Sequence, residues 1–239
     1  MNIAIIGYGK MGKEIETIAL QRGHTISCKF SSAEELSMQS NLHADVAIEF
    51  TKPDLAQKHI QICLDKNIPI VVGTTGWSDQ ISRIQAQVKE AEGSLLHASN
   101  FSLGVHLFFE LSKKFSSIMK NQEQYTPSIT ETHHTEKMDK PSGTAITTAK
   151  MLLGQQDSYD KWGLVDKDSI DESTIPIHSE RIPDVPGTHD ITYSSDIDQI
   201  SLIHKAKSRK GFALGAVLAA EWLQHRKGTF TMSDIINFA

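Results

Sequence analysis

The chain has 239 residues, of which 39% are apolar, and a formal net charge of −5. That length accommodates one large domain or two modest ones. The acidic balance and the lack of a basic run argue against a nucleic-acid partner, and no apolar run approaches the ~20 residues of a membrane span. No basic segment leads into a long apolar one at the start, so a signal peptide is not expected and the cytoplasm is the expected location. Cys28 and Cys63 offer neither zinc spacing nor a disulfide framework. An anionic ligand would therefore have to be gripped by a local cluster of cations.

The first hundred residues alternate between short apolar runs and helical spacing. Residues 2–7 read as a buried strand, residues 10–22 as a helix with Met11, Ile15, Ile18 and Ala19 on one face, and Gly23 as its stop. Thr25–Phe30 and Asp45–Phe50 read as further strands. Thr51 is placed to cap a helix over Leu55–Lys66, with Ala56, Ile60, Cys63 and Leu64 inward. A strand over Ile68–Val72, a helix over 78–91 and a strand over Leu95–Ala98 follow. This α/β rhythm predicts a Rossmann-type doubly wound parallel sheet with helices on both faces.

Beyond residue 100 the pattern changes. Residues 103–119 read as an amphipathic helix, Ser128–His134 as a strand, Thr144–Leu153 as a helix and 155–175 as a polar loop. Strand-like runs near 177–182, 188–194 and 199–205 suit a mixed or antiparallel sheet. Phe212–Leu223 is apolar nearly all round and is expected to be buried. The expected organisation is a dinucleotide-binding domain over 1–101, completed by 211–239, and a second α+β domain over 102–210.

Gly7-Tyr8-Gly9-Lys10-Met11-Gly12 is a Gly-x-Gly-x-x-Gly between a strand and a helix. Gly7 permits a tight turn, Gly9 lets the backbone approach a pyrophosphate, and Gly12 allows close helix–strand packing. The end of the second strand, where a ribose should lie, reads Ser27-Cys28-Lys29-Phe30-Ser31-Ser32, with no acid before Glu34. Lys29 can pair with the 2′-phosphate of NADP; the plain alternative is a solvated lysine. Gly73-Thr74-Thr75-Gly76 and Ser99-Asn100-Phe101 follow strand ends, where ligands of open α/β sheets bind.

The segment Glu131–Thr144 is the densest in chemistry. His133, His134, Lys137 and Lys140 fall within eight residues, ahead of Pro141-Ser142-Gly143-Thr144 and a helix. A helix start offers free N–H groups and partial positive charge to a carboxylate. Histidine beside it is suited to proton transfer. Neighbours on a strand point to opposite faces, so His133 and His134 make a poor pair of metal ligands, and both can face one substrate only if the strand ends there. No metal is assigned. His189 and His204 read as strand or edge residues without a role.

Together these motifs resemble the 4-hydroxy-tetrahydrodipicolinate reductase family, also called dihydrodipicolinate reductase, over the whole chain. The resemblance rests on Gly7–Gly12, Glu49-Phe50-Thr51, Gly73–Gly76, Ser99–Val105, the His-His-x-x-Lys-x-Asp-x-Pro-Ser-Gly-Thr segment, and His204-Lys205-Ala206-x-Ser208-Arg209 with Phe212-Ala213-x-Gly215-Ala216. It implies reduction, by NADPH or NADH, of a cyclic imine bearing two carboxylates, in the diaminopimelate–lysine pathway. Carried over by position, His133 is the general acid/base and Lys137 its partner, while His134, Ser142, Gly143 and Thr144 contact substrate. Gly7, Tyr8, Gly9, Lys10, Met11, Gly12, Gly73, Thr74, Thr75, Ala98, Ser99, Asn100 and Phe101 contact the cofactor, with Lys29 at the ribose. With hydride donor and acid on different halves of the chain, domain closure is expected to bring them together, and the resemblance implies a homotetramer built through the second domain's sheet. The chain departs from the family where many members carry an acid and this one offers Lys29.

Two nearer alternatives remain. One is another two-domain dehydrogenase, such as an aspartate-semialdehyde type, whose thiolate nucleophile is hard to place because both cysteines lie in the nucleotide-binding half. The other is a cofactor-binding sensor without turnover, which leaves the His/Lys cluster unexplained. A metal-dependent hydrolase is a more distant third.

Overall fold

The computed structural model describes residues 1–31, 36–208 and 210–236; Ser32, Glu34 and Arg209 lie outside them. The chain forms two compact units, residues 1–103 with 210–239 and residues 104–209.

In the first unit, β1 (Asn2–Ile6), α1 (Lys10–Gln21), β2 (Thr25–Phe30), β3 (Val46–Glu49), α2 (Pro53–Asp65), β4 (Ile70–Val72), α3 (Ile81–Glu90) and β5 (Ser94–His97) follow one another. With β11 (Gly228–Phe230), supplied by the end of the chain, the strands form a parallel sheet in the order β11-β5-β4-β3-β1-β2. Alternation along each strand sends residues to two cores. Ala4, Ile6, Ala47, Ile70, Val72 and Leu95 pack with Ala56, Ile60 and Cys63 of α2 and with Ile84 and Val88 of α3. Ile3, Ile5, Val46, Ile48, Val71 and Leu96 pack on the opposite face with Ile15 and Ala19 of α1 and with the later helix α6 (Lys210–Leu223). Such near-continuous apolar runs are what a sheet covered on both faces requires.

Thr51 does not cap α2. That helix starts at Pro53, whose missing N–H costs nothing in a first turn, and the Thr51 hydroxyl is committed to the buried Glu49 carboxylate. The return segment also supplies β11 (Gly228–Phe230), parallel to β5, and the short α7 (Met232–Ile236). Three residues are too few to announce a strand by periodicity.

The second unit holds α4 (Leu103–Met119), β6 (Thr126–His133), α5 (Gly143–Leu153), β7 (Lys161–Leu164), β8 (Thr174–Arg181), β9 (Thr188–Ser194) and β10 (Gln199–Lys205). Their mixed sheet runs β10-β9-β6-β8-β7. β9 is antiparallel to both β6 and β10, whereas β8 is parallel to β6 and β7. One face is packed by Ile129, Ile175, Ile177, Ile191 and Tyr193 against Val105, Phe108, Ala145, Ala149 and Leu152. The stretch 155–175 is not all loop: β7 lies within it, anchored by the buried Leu164. Its polar flanks conceal so short a strand.

Candidate active site

In the second unit, β6 ends at His133, so His134 already belongs to the following turn. Residues two apart on a strand share a face, and Glu131 and His133 both point to the buried side. His133 Nδ1 donates to Glu131 Oε2. The other carboxylate oxygen, Oε1, accepts from Ser179 Oγ and from Arg181 Nη1, the latter at 3.0 Å. Burial pushes the Glu131 carboxyl up, but the hydrogen bonds from His133, Ser179 and Arg181 outweigh it and hold the group down at about 2. Gly187 lies beside the outer edge of His133: a Cβ there would stand 3.1 Å from Nε2 and 3.2 Å from Cδ2.

His189 packs edge-on against His133, with ring centroids 5.1 Å apart. Its Nε2 lies 3.1 Å from Ser142 Oγ. Burial, with a further contribution from the charge of His133, pushes His189 down to about 3, so it is neutral. Ser142 caps α5 by accepting from the Ala145 N–H at 3.2 Å. This leaves the N–H groups of Gly143 and Thr144 at a helix start, where they have no intrahelical acceptor, and open space lies over Gly143. A carboxylate fits that position. Lys137 Nζ pairs with both Asp139 oxygens at 2.8 Å. Arg181 donates from Nε to the Lys137 carbonyl at 3.2 Å and from Nη2 to the Asp139 carbonyl at 2.6 Å, pinning that loop. His134 faces elsewhere, into a shallow groove with Thr135, Glu136 and Pro183–Pro186. Glu131, His133 and His189 lie close enough to be considered as metal ligands, yet both Glu131 oxygens already accept protein donors.

In the first unit, Gly7 takes φ +100°, and a Cβ there would sit 2.0 Å from the Phe50 carbonyl oxygen. A Cβ at Gly12 would sit 2.4 Å from the Gly7 carbonyl oxygen, whereas nothing lies within 4 Å of one at Gly9. So Gly7 and Gly12 are demanded by packing, and Gly9 leaves the backbone open. The α1 start has no side-chain cap, so its N–H groups are available to a pyrophosphate. A cavity of about 280 Å³ is lined here by Gly7, Tyr8, Gly9, Phe30, Ser31 and Thr51 among others. A second, of about 270 Å³, is lined by Thr74, Thr75, Trp77, His97, Ala98 and Ser99. These features fit a dinucleotide.

A family model described as dihydrodipicolinate reductase, N-terminus, matches residues 1–101, and one described as dihydrodipicolinate reductase, C-terminus, matches residues 104–236. The chain belongs to the dihydrodipicolinate reductase family. It is 47% identical over 237 residues to a 4-hydroxy-tetrahydrodipicolinate reductase of Christiangramia forsetii, covering 99% of this chain and 98% of the relative. It is 33% identical over 229 residues to a reductase of the same name from Neisseria meningitidis serogroup A, covering 92% and 83%. A solved structure titled as dipicolinate-bound dihydrodipicolinate reductase from Paenisporosarcina sp. TG-14 shares the fold, with a TM-score of 0.76 at 24% identity over 97% of each chain. As a member of this reductase family, the chain is an NAD(P)H-dependent oxidoreductase.

Of the residues expected in the reductase site, the structure brings His133 together with Ser142, through His189, beside Gly143 and Thr144. Lys137 sits in the adjoining loop, held by Asp139. Around the cofactor cavities lie Gly7, Tyr8, Gly9, Thr74, Thr75, Ala98 and Ser99. Lys10 is exposed and Met11 half-buried at the α1 start. Gly73 abuts the Phe50 ring, Phe101 is buried in the core, and Asn100 Oδ1 accepts from the Ser102 N–H. Lys29 is not a free cation: its Nζ pairs with Glu16 at 3.0 Å and lies 4.8 Å from the Tyr8 ring centroid. Glu131, Ser179, Arg181 and His189 were not anticipated. Glu131 had a signal, the i, i+2 spacing to His133 on a strand; the other three depend on strand register.

Proposed function

We propose that this chain reduces 4-hydroxy-tetrahydrodipicolinate to tetrahydrodipicolinate with loss of water, with His133 as the general acid. The observation that carries the residue assignment is the buried Glu131–His133 pair beside the capped start of α5. A bound nicotinamide supplies hydride from C4. Departure of the hydroxyl together with a proton from a neighbouring ring carbon, as water, would leave a conjugated imine, and hydride addition would put negative charge on that system. His133 delivers a proton from Nε2 to quench it, a transfer worth ~10²–10⁴ in rate. Lys137 lies four residues on, and its ammonium, exchanging Asp139 for the substrate, offsets the developing charge. One substrate carboxylate docks on the Gly143 and Thr144 N–H groups, with Ser142 beside them; His134, which faces another groove, reaches the substrate only on turning out of it.

On the same reading the first unit, with Gly7 to Gly12, Gly73 to Thr75 and Ala98 to Phe101, holds NADPH or NADH. The second binds substrate and builds a homotetramer working in the cytoplasm. The test is nucleotide oxidation followed by absorbance, with substrate made in place from pyruvate and aspartate semialdehyde by the preceding synthase. Turnover that depends on the synthase product is expected with at least one nucleotide. His133→Gln should lower kcat by ~10²-fold or more while leaving KM nearly unchanged. A variant with near-normal kcat removes His133 from the chemistry. Nucleotide binding without any turnover would favour a sensor.

A further inference from the structure

The register of the second sheet places four polar residues in one transverse row. Ser179 on β8 is opposite Glu131 on β6, Glu131 is opposite His189 on β9, and His189 is opposite His204 on β10. Glu131 is fully buried, so as a carboxylate it needs donors on every side. Those donors divide between its oxygens. Arg181 and Ser179 serve Oε1, and among the described residues His133 Nδ1 alone donates to Oε2. A guanidinium has no acceptor atom and cannot give up its charge. Oε1 is therefore fixed as an acceptor from one side, and Oε2 is left to accept from the imidazole.

We infer that Glu131 is a positioning residue for the reduction: it holds the His133 proton on Nδ1, so that Nε2, the nitrogen facing Gly187, is the one that carries the catalytic proton. Arg181 determines which carboxylate oxygen does this, and the same guanidinium holds the backbone of Lys137 and Asp139. The acid and the loop bearing its lysine partner are thus referenced to one buried charge. Gly187 completes the arrangement by keeping a Cβ away from Nε2. The inference rests on the reading of His133 as the general acid.

The competing account is that Glu131 and Arg181 merely tie β6 to β8. Glu131→Gln separates the two. Arg181 and Ser179 would both donate to the one amide oxygen, turning the amide NH₂ toward His133 Nδ1. That nitrogen must then present a lone pair, and the neutral imidazole proton moves to Nε2. An imidazolium would face one N–H with another, so the acid form is disfavoured.

The measurement is ¹H–¹⁵N correlation through two bonds on the full chain labelled at histidine, above neutral pH, with His133 assigned by its loss in His133→Gln. The wild type should show the Nδ1–H tautomer, and Glu131→Gln the Nε2–H tautomer. Alongside, kcat of Glu131→Gln should fall ~10²-fold or more, with substrate KM and nucleotide affinity kept within about twofold. An Nε2–H tautomer in the wild type overturns the inference, and needs no variant to fold. A slow His133→Gln beside a full-rate Glu131→Gln overturns the positioning role alone. A full-rate His133→Gln removes the general-acid reading beneath it.

Discussion

Lys29 reaches back from β2 to Glu16 on α1, and the Tyr8 hydroxyl donates to the same carboxylate. The hydrogen bond to Glu16 raises the lysine from its ordinary value. Its charge is therefore answered within the protein before any ligand arrives. In this kind of fold the ribose meets the end of the second strand, so a 2′-phosphate would have to compete with Glu16 for Lys29. Replacing Glu16 with Gln frees the ammonium and should raise the NADPH-to-NADH ratio of kcat/KM by about threefold or more, of the order an exposed charge pair is worth. Lys29→Gln should move the ratio the other way. Two unchanged ratios would show that Lys29 does not read the ribose. The sequence displays Lys29 as a lone cation because Glu16 lies thirteen positions away, on another element; only the packing of α1 beside β2 joins them.

At the scale of elements, α6 shows what a helix apolar all round is for. Ala213, Ala216, Val217, Ala219, Ala220 and Leu223 are fully buried against the first sheet. Its Gly215 is set by a close approach, since a Cβ there would lie 1.6 Å from the Phe101 carbonyl oxygen. Backbone cannot retreat as a flexible side chain can, so Gly215→Ala should cost about 1–3 kcal/mol or more and lower Tm by roughly 5–10 °C. An unchanged melting curve would mean that α6 slides without penalty. Most of this fold was legible because each element carries its own signal: the buried runs of β1, β3 and β4, the glycine turn before α1, and the helical run that follows Pro141-Ser142-Gly143 as α5. β7 and β11 were missed because three or four residues carry no period. Half of the acid site was missed for a different reason. His133 and Ser142 stand in one motif, but Ser179, Arg181 and His189 join them only through strand pairing, and register cannot be read from residues 46 to 56 positions beyond His133.

For the molecule as a whole, the buried part of that polar row has a consequence for stability. His189 is kept neutral by burial, with its folded value at about 3, whereas a histidine in an unfolded chain takes a proton near 6.5. Between those values the unfolded chain binds more protons, so acid favours unfolding. The stabilising effect is whole above about pH 6.5 and declines as pH falls toward 3, by up to about 1.4 kcal/mol per pH unit. Glu131 is also depressed, to about 2 from an ordinary value of 4.5, so its contribution is lost only below about pH 4.5. A window from about pH 7 to 5 therefore separates the two groups. Melting temperatures of the wild type and of His189→Gln, whose amide can keep a hydrogen bond to Ser142, should diverge across it. The wild type should lose several degrees more than the variant between about pH 7 and 5. Equal losses would mean that His189 takes up its proton while folded, and that the row from Ser179 to His204 is open to water.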